Sequence, residues 1–226
     1  MKNVSRPEKD LVNSFVGIGT ATIHESVGKE INNVMDNAIK PLKRGTKLVG
    51  PAITVDSFPA DNLTVHVAMT LCKPGDVLVV NGHGSIGVMF GAQMAFQAMQ
   101  HGIAGIVVDG AVRDSEELRN MGFPCFARCI SPLGSAKSTP GSVNVPIQCG
   151  GVIVNPGDLI VGDDDGVVVV AKDTAGEVVK RAKARDEKEA KTRELFRQGK
   201  TSMELNNYEK ILKEKGVREV ERLEDL

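Results

Sequence analysis

The 226-residue chain sets 28 Lys and Arg against 29 Asp and Glu, a formal net charge of −1. No global field therefore draws it to nucleic acid or to an acidic membrane. Hydrophobic residues make up 41% and charged residues 25%, which excludes disorder and collagen and predicts one large domain or a domain with an appendage. With no Trp and one Tyr, the chain offers no aromatic platform for stacking bases.

The N-terminal stretch Met1–Asp10 lacks the apolar core of a signal peptide, and no apolar run approaches the roughly 20 residues that span a bilayer. Cys72, Cys125, Cys129 and Cys149 read as reduced thiols of a cytoplasmic protein. Residues 1 to about 45 read as helix, loop and helix, with Ser14–Thr22 a Gly-interrupted turn region and Glu25–Val34 a short helix. Leu48–Val55 is β-branched and apolar and predicts a strand. Asp61–Leu71 follows as a helix with Leu63, Val67 and Leu71 on one face and Asp61 or Asn62 as its cap.

The turn Lys73-Pro74-Gly75-Asp76 feeds Val77–Val80, which reads as a strand buried on both faces. A Gly-rich loop comes next, then an Ala- and Met-rich helix from about Met89 to Gln100, closed by Gly102. Gly105–Asp109 is a strand and Asp114–Met121 a helix, so the middle of the chain is a βαβ unit. From Pro124 to Val170 the pattern is all-β. Asn155-Pro156-Gly157-Asp158 there repeats the Pro-Gly-Asp turn of residues 73–76, again ahead of a strand. Beyond Asp173 the chain is helical and charged, with too few apolar positions for a core of its own. The expected organisation is an α/β domain over residues 1–172 and a helical arm over 173–226 that packs on a neighbouring subunit.

Three segments carry candidate chemistry. Gly82-His83-Gly84-Ser85-Ile86-Gly87 has the form G-x-G-x-x-G, with Asp109 downstream as a nominal acidic partner. Its mostly β surroundings and the lack of a second βαβ half favour a small-anion site over a dinucleotide site. Asp109-Gly110-Ala111-Val112-Arg113-Asp114 places a cation and a carboxylate together at a strand end. Arg113 offers a planar fork for a carboxylate, and Asp114 a hard oxygen for Mg²⁺ or Mn²⁺. The same pair also reads as a surface ion pair opening a helix, with Asp114 as N-cap. Asp163-Asp164-Asp165-Gly166 lacks the spacing of a calcium loop and reads as a tight hairpin turn. The four His residues are dispersed, which argues against a His-based zinc site.

The segments Pro74–Val79, Gly102–Asp114 and Asn155–Asp158 together resemble the RraA-like proteins, and within them the metal-dependent 4-hydroxy-4-methyl-2-oxoglutarate / 4-carboxy-4-hydroxy-2-oxoadipate aldolases. Looser similarity runs from about Gly17 to Gly199. The resemblance implies a β/β/α swivelling-type α/β fold and a homotrimer, or a hexamer made of two trimers, with sites between subunits. It implies that Arg113 binds the pyruvate portion of an oxo acid and that Asp114 holds a divalent cation, Mg²⁺ or Mn²⁺. Gly91, Ala92, Gln93 and Met94 would offer backbone N–H groups to the substrate carboxylate. Glu189, from a neighbouring subunit, would approach the cation.

The activity implied is cleavage of a 4-hydroxy-2-oxo acid to pyruvate, together with oxaloacetate decarboxylation. At Ala92 the aldolases carry an Asp or Glu. The members that inhibit ribonuclease E tend to lack the Asp of the Arg-Asp pair, which this chain keeps. The alternative reading is a non-catalytic regulatory protein on the same fold.

Overall fold

The computed structural model describes residues 3–218, 220 and 222. It divides into two compact units, residues 1–183 and 184–226. In the first, α1 (Lys9–Asn13) and α2 (Thr20–Val27) precede the short β1 (Lys40–Pro41) and the long β2 (Leu48–Asp56). Next come α3 (Leu63–Met69), β3 (Val77–Asn81), β4 (Val88–Phe90), α4 (Ala92–Gln100), β5 (Gly105–Val112) and α5 (Ser115–Met121). The β-rich half holds β6 (Cys125–Ile130), β7 (Ser142–Val143), β8 (Ile147–Cys149), β9 (Val152–Val154), β10 (Leu159–Asp163) and β11 (Gly166–Val170). Then α6 (Ala175–Arg197) starts with Ala175, Val178, Val179 and Ala182 buried. The second unit also holds α7 (Ser202–Asn206) and α8 (Tyr208–Glu214), neither with a buried residue. Thr201 and Glu204 close a reciprocal capping box at the start of α7.

Among the described residues the main sheet runs β1-β6-β5-β3-β2-β10-β11, with β4 beside β5 and β7 beside β2. Its centre, β2-β3-β5-β6, is parallel. These strands are built from Val, Ile, Leu and Ala because both of their faces are covered. The two-residue period divides them cleanly. Ile53, Leu78, Val80, Ile106 and Val108 pack into the core that holds residues of α3, α4 and α5. Ala52, Val77, Val79, Val107 and Phe126 face the other way, against residues of the β8–β9 hairpin. Hairpin, sheet and helices make three layers, the expected β/β/α arrangement. A third core, formed by Phe15, Ile23, Val161, Val168 and Val178, lies under β10 and β11.

The two Pro-Gly-Asp turns are the same device. Asp76 N–H bonds Lys73 O and Asp158 N–H bonds Asn155 O, each at 3.0 Å. Gly75 and Gly157 sit at φ +92 and +87, as a type II turn with Pro at its second position requires. Each Asp carboxylate also accepts the N–H that opens its own turn, from Lys73 at 2.6 Å and from Asn155 at 2.8 Å. Asp163-Asp164-Asp165 is the tip of the β10–β11 hairpin.

Two helices depart from the sequence expectation. The N-terminal helix forms at Thr20–Val27 rather than Glu25–Val34. Thr20 is drawn in because its N–H and hydroxyl bond the Asp163 carboxylate at 3.0 and 2.7 Å. The helix expected from Met89 begins at Ala92, because Val88–Phe90 pairs with β5 as a strand.

Candidate active site

Ligand crevices in open α/β sheets lie beyond the carboxyl ends of the parallel strands. A cavity of about 160 Å³ opens there, past the ends of β4 and β5. One wall is Gly91, Gln93 and Met94 at the start of α4, with Arg113 and Asp114 after β5. Asn62 and the loop residues Gly134, Ser135 and Lys137 form the second.

The first wall is tied together by Asp114. Its φ of +55 and ψ of +40 put it in the left-handed region, which Asp tolerates better than most residues. Asp114 is the N-cap residue of α5, as the sequence suggested, and its carbonyl accepts Leu118 N–H at 3.0 Å, but its side chain makes no capping bond to that helix. Instead Oδ2 accepts the N–H of Ala92 at 3.1 Å, at the N-terminus of α4. There the helix's unpaired N–H groups and dipole favour negative charge. Arg113 Nε lies 3.5 Å from the same oxygen, and Arg113 N–H bonds Phe90 O, joining the ends of β5 and β4. Gly91 makes the approach possible: a Cβ there would come within 2.7 Å of Asp114 Oδ2 and 3.1 Å of Arg113 Cγ.

The second wall hangs on Asp61, which is 1% exposed. Its Oδ1 accepts Leu63 N–H at 2.9 Å, and its Oδ2 accepts the N–H groups of Ser138 and Thr139 at 2.7 and 2.8 Å. Burial pushes its pKa up, but the backbone N–H groups of Ser138, Leu63 and Thr139, with the Ser138 hydroxyl, outweigh burial and bring it down to about 2. Ala136 bonds the backbone of Ala60 and Asn62 at 2.8 and 3.1 Å. Asn62 Nδ2 reaches Met94 Sδ at 3.5 Å, joining the two walls.

The structure thus brings Arg113, Asp114, Gly91, Gln93 and Met94 to one cavity. Ala92 contributes through its N–H, while its methyl group is buried. Glu189 lies in the second unit, paired with Arg185 at 3.0 Å and Arg193 at 3.9 Å. The sequence did not single out Asn62, Ser135 and Lys137: Asn62 read only as a helix cap, and Ser135 and Lys137 fell in the stretch read as all-β, where the structure has a loop instead. The Gly82–Gly87 loop is not an anion cradle. Its Gly82 and Gly84 N–H groups both bond Asp109 O, and β4 separates it from α4. The Asp109 carboxylate is occupied by Arg128 and by Gly150 N–H.

The fit of this site to a divalent cation turns on Asp114. Its Oδ2 is engaged, whereas Oδ1 meets no protein donor among the described residues. One free hard oxygen suits Mg²⁺ or Mn²⁺, which are commonly held by one or two carboxylates and otherwise by water and substrate. Among the described residues no three His, Cys, Asp or Glu side chains cluster as a self-sufficient metal cage.

Residues 20–169 match the RraA-like family described as Aldolase/RraA. The chain belongs to the RraA-like family. A Halalkalibacterium halodurans protein provisionally named 4-hydroxy-4-methyl-2-oxoglutarate aldolase is 41% identical over 181 residues, 80% of this chain and 85% of that protein. Streptomyces coelicolor RraAS2, described as an unusual member of the RNase ES inhibitor RraA family, is 33% identical. It superposes with a TM-score of 0.77 over 83% of this chain and 98% of its own. An uncharacterised Pseudomonas syringae pv. tomato protein gives a TM-score of 0.78 at 28% identity, over 87% of this RraA-like chain and 96% of that protein. Among the described residues no helix is long and apolar enough to cross a membrane.

Proposed function

We propose that this RraA-like protein is a divalent-metal-dependent lyase that cleaves a 4-hydroxy-2-oxo acid, such as 4-hydroxy-4-methyl-2-oxoglutarate, to pyruvate. The observation that carries this reading is the joining of Arg113 and Asp114 to the N-terminus of α4 in one cavity. Arg113 pairs with the carboxylate of the pyruvate half through its two-pronged guanidinium. The N–H groups of Gln93 and Met94, in the first turn of α4, orient that carboxylate further. Asp114 would hold the cation, Mg²⁺ or Mn²⁺, and Glu189 of a neighbouring copy would be a second carboxylate for it. When bound, the cation supplies Lewis-acid stabilisation of negative charge on the oxo-acid oxygens.

In the cleavage the 4-hydroxyl loses its proton and the C3–C4 bond breaks. Its electron pair passes into a pyruvate enolate, and a carbonyl is left at C4. Proton transfer to C3 then completes pyruvate. Arg113 would meet the developing charge from the end of β5, where its Nε lies 3.5 Å from Asp114 Oδ2, and a cation placed before charge develops is the effective kind. The same enolate would follow loss of CO₂ from oxaloacetate. The proposed assembly is a homotrimer or a pair of trimers, with the helical arm of residues 173–226 packing on a neighbour.

A second reading has its own support: Ala92 replaces the acidic residue of the aldolases, and the chain is 33% identical to RraAS2. It makes the protein a non-catalytic RraA-type regulator. Pyruvate release from 4-hydroxy-4-methyl-2-oxoglutarate and oxaloacetate, with Mg²⁺ or Mn²⁺ and with a chelator, separates the two. Metal-dependent release establishes the lyase. No release with either acid and either metal rejects it.

A further inference from the structure

The two strands that end in the first wall of the cavity are both pinned upstream of it, at one residue. Asp109, on β5 shortly before Arg113, is 8% exposed. Its backbone carbonyl accepts the N–H groups of Gly82 and Gly84, each at 3.1 Å. Those glycines open the loop that leads into β4, and so to Gly91 and α4. On β5 the same residue lies at a bulge. Between the pairs Val108 with Ala127 and Ala111 with Cys129, three steps along β5 are matched by two along β6. A bulge bends its strand and re-aims the side chains that follow, here Arg113 and Asp114.

The Asp109 carboxylate lies on the far side of the sheet. Asp56, Asn81 and Asp109 stand in register across β2, β3 and β5, on the face where Val79 and Val107 pack against the β8–β9 hairpin. Asp109 Oδ1 accepts Arg128 Nε at 2.5 Å, and Oδ2 accepts Gly150 N–H, in the turn of that hairpin, at 2.7 Å. Arg128 Nη1 continues to Asp36 Oδ2 at 2.9 Å, and Asp36 N–H bonds Gly150 O at 2.8 Å. Asp109, Arg128, Asp36 and Gly150 thus close a ring. A carboxylate with both oxygens engaged in such a network has little freedom to shift. Asp163 is a buried carboxylate of simpler use: it ties Thr20 of α2 to the β10–β11 tip. Asp109 differs because its own backbone carries the bulge.

We propose that Asp109 is a positioning residue for the first wall. Through its ring with Arg128, Asp36 and Gly150 it fixes the β5 bulge and the start of the Gly82–Gly87 loop. Together these set Arg113 and Asp114 against the N-terminus of α4. The effect on rate rests on the lyase reading; the effect on geometry does not.

The test compares Asp109→Asn with Asp163→Asn in the full chain. Asparagine keeps an acceptor for Gly150 but loses the charge that holds Arg128. Asp163→Asn removes a buried charge away from the cavity and controls for lost stability. The geometric readout is amide exchange by NMR at Ala92, whose N–H bonds Asp114 Oδ2. Exchange there should quicken about tenfold or more in Asp109→Asn and hold in Asp163→Asn, because an amide at a helix end opens locally rather than by global unfolding. The kcat for Mn²⁺-dependent pyruvate release from 4-hydroxy-4-methyl-2-oxoglutarate should fall about 10–100-fold in Asp109→Asn, the cost of misplaced groups, and hold in Asp163→Asn. Arg128→Lys keeps a cation for Asp109 but loses the prong to Asp36, and should fall between the two. If Asp109→Asn does not fold, Arg128→Lys carries the test with the same readouts. Ala92 exchange unchanged in the folded variant, or quickened equally in Asp163→Asn, overturns the proposal, as does a kcat equal to that of an active wild type. Quickened exchange confined to Asp109→Asn, in a protein that releases no pyruvate, supports the positioning role and sinks the lyase reading instead.

Discussion

Asp114 accepts the Ala92 N–H through Oδ2 at 3.1 Å, and this bond ties the end of β5 to the first turn of α4. It makes Asp114 both part of the fold and part of the site, and these roles separate on substitution. Asparagine tolerates φ +55 and keeps an acceptor for Ala92, but loses the charge. Asp114→Asn should melt close to wild type while Mn²⁺ affinity falls about tenfold or more by calorimetry. Asp114→Ala removes the acceptor and strains the backbone, at about 2–3 kcal/mol together. That should lower Tm by roughly 5–10 °C in a chain of this size. Unchanged Mn²⁺ affinity in the Asn variant would confine Asp114 to a structural role.

Arg113→Lys tests the two-point contact. Lysine keeps the charge but loses the planar fork. Pyruvate release should drop by about 10²-fold or more, the scale seen when one preorganised charge partner is removed, with the far-UV spectrum and Tm preserved. Near-wild-type kcat/KM would take Arg113 out of the mechanism.

Gly91→Ala tests the close approach. At φ −155 and ψ −175 the backbone there is extended and open to any residue, so the added methyl group acts only through its neighbours. It would stand 2.7 Å from Asp114 Oδ2 and 3.1 Å from Arg113 Cγ, and both must give way. A displacement of that kind should cost up to about 10²-fold in kcat/KM without loss of folding. Full activity would show that the Arg113–Asp114 placement is not critical.

Asp61 gives the pH dependence its sign. Its folded pKa of about 2 lies below the ordinary 3.8. The folded state therefore binds the proton less readily than the unfolded chain, and the carboxylate stabilises the fold. That contribution is complete above about pH 4 and fades as pH falls through about 2. Asp61→Asn should lower the urea midpoint at pH 7. It should also flatten the decline between about pH 4 and 2, without abolishing it, because Asp36 and Asp163 also titrate low. They are held down by backbone N–H groups and cationic neighbours, against the opposing effect of burial. An acid limb identical to wild type would remove Asp61 from the account.

Features that rest on near neighbours can be read from the residues alone. The alternation of Val77–Val80 and Gly105–Asp109 marks them as strands with two buried faces, because a strand's side chains alternate. The Pro-Gly-Asp turns were legible because Pro and Gly preset the two central dihedrals. The pairing of Arg113 with Asp114 at a strand end follows from adjacency alone. The rest depends on the assembled fold. Val88–Phe90 is as apolar as a helix start, and its strand character comes from pairing with β5. Thr20 begins a helix beside the Asp163 carboxylate, and the Asp114 carboxylate meets α4 rather than its own helix. The second wall of the cavity exists because Asp61 reaches Ser138, 77 residues away. A bond across that separation leaves no periodicity or local motif to read. It forms only when the packed sheet has brought the two segments together.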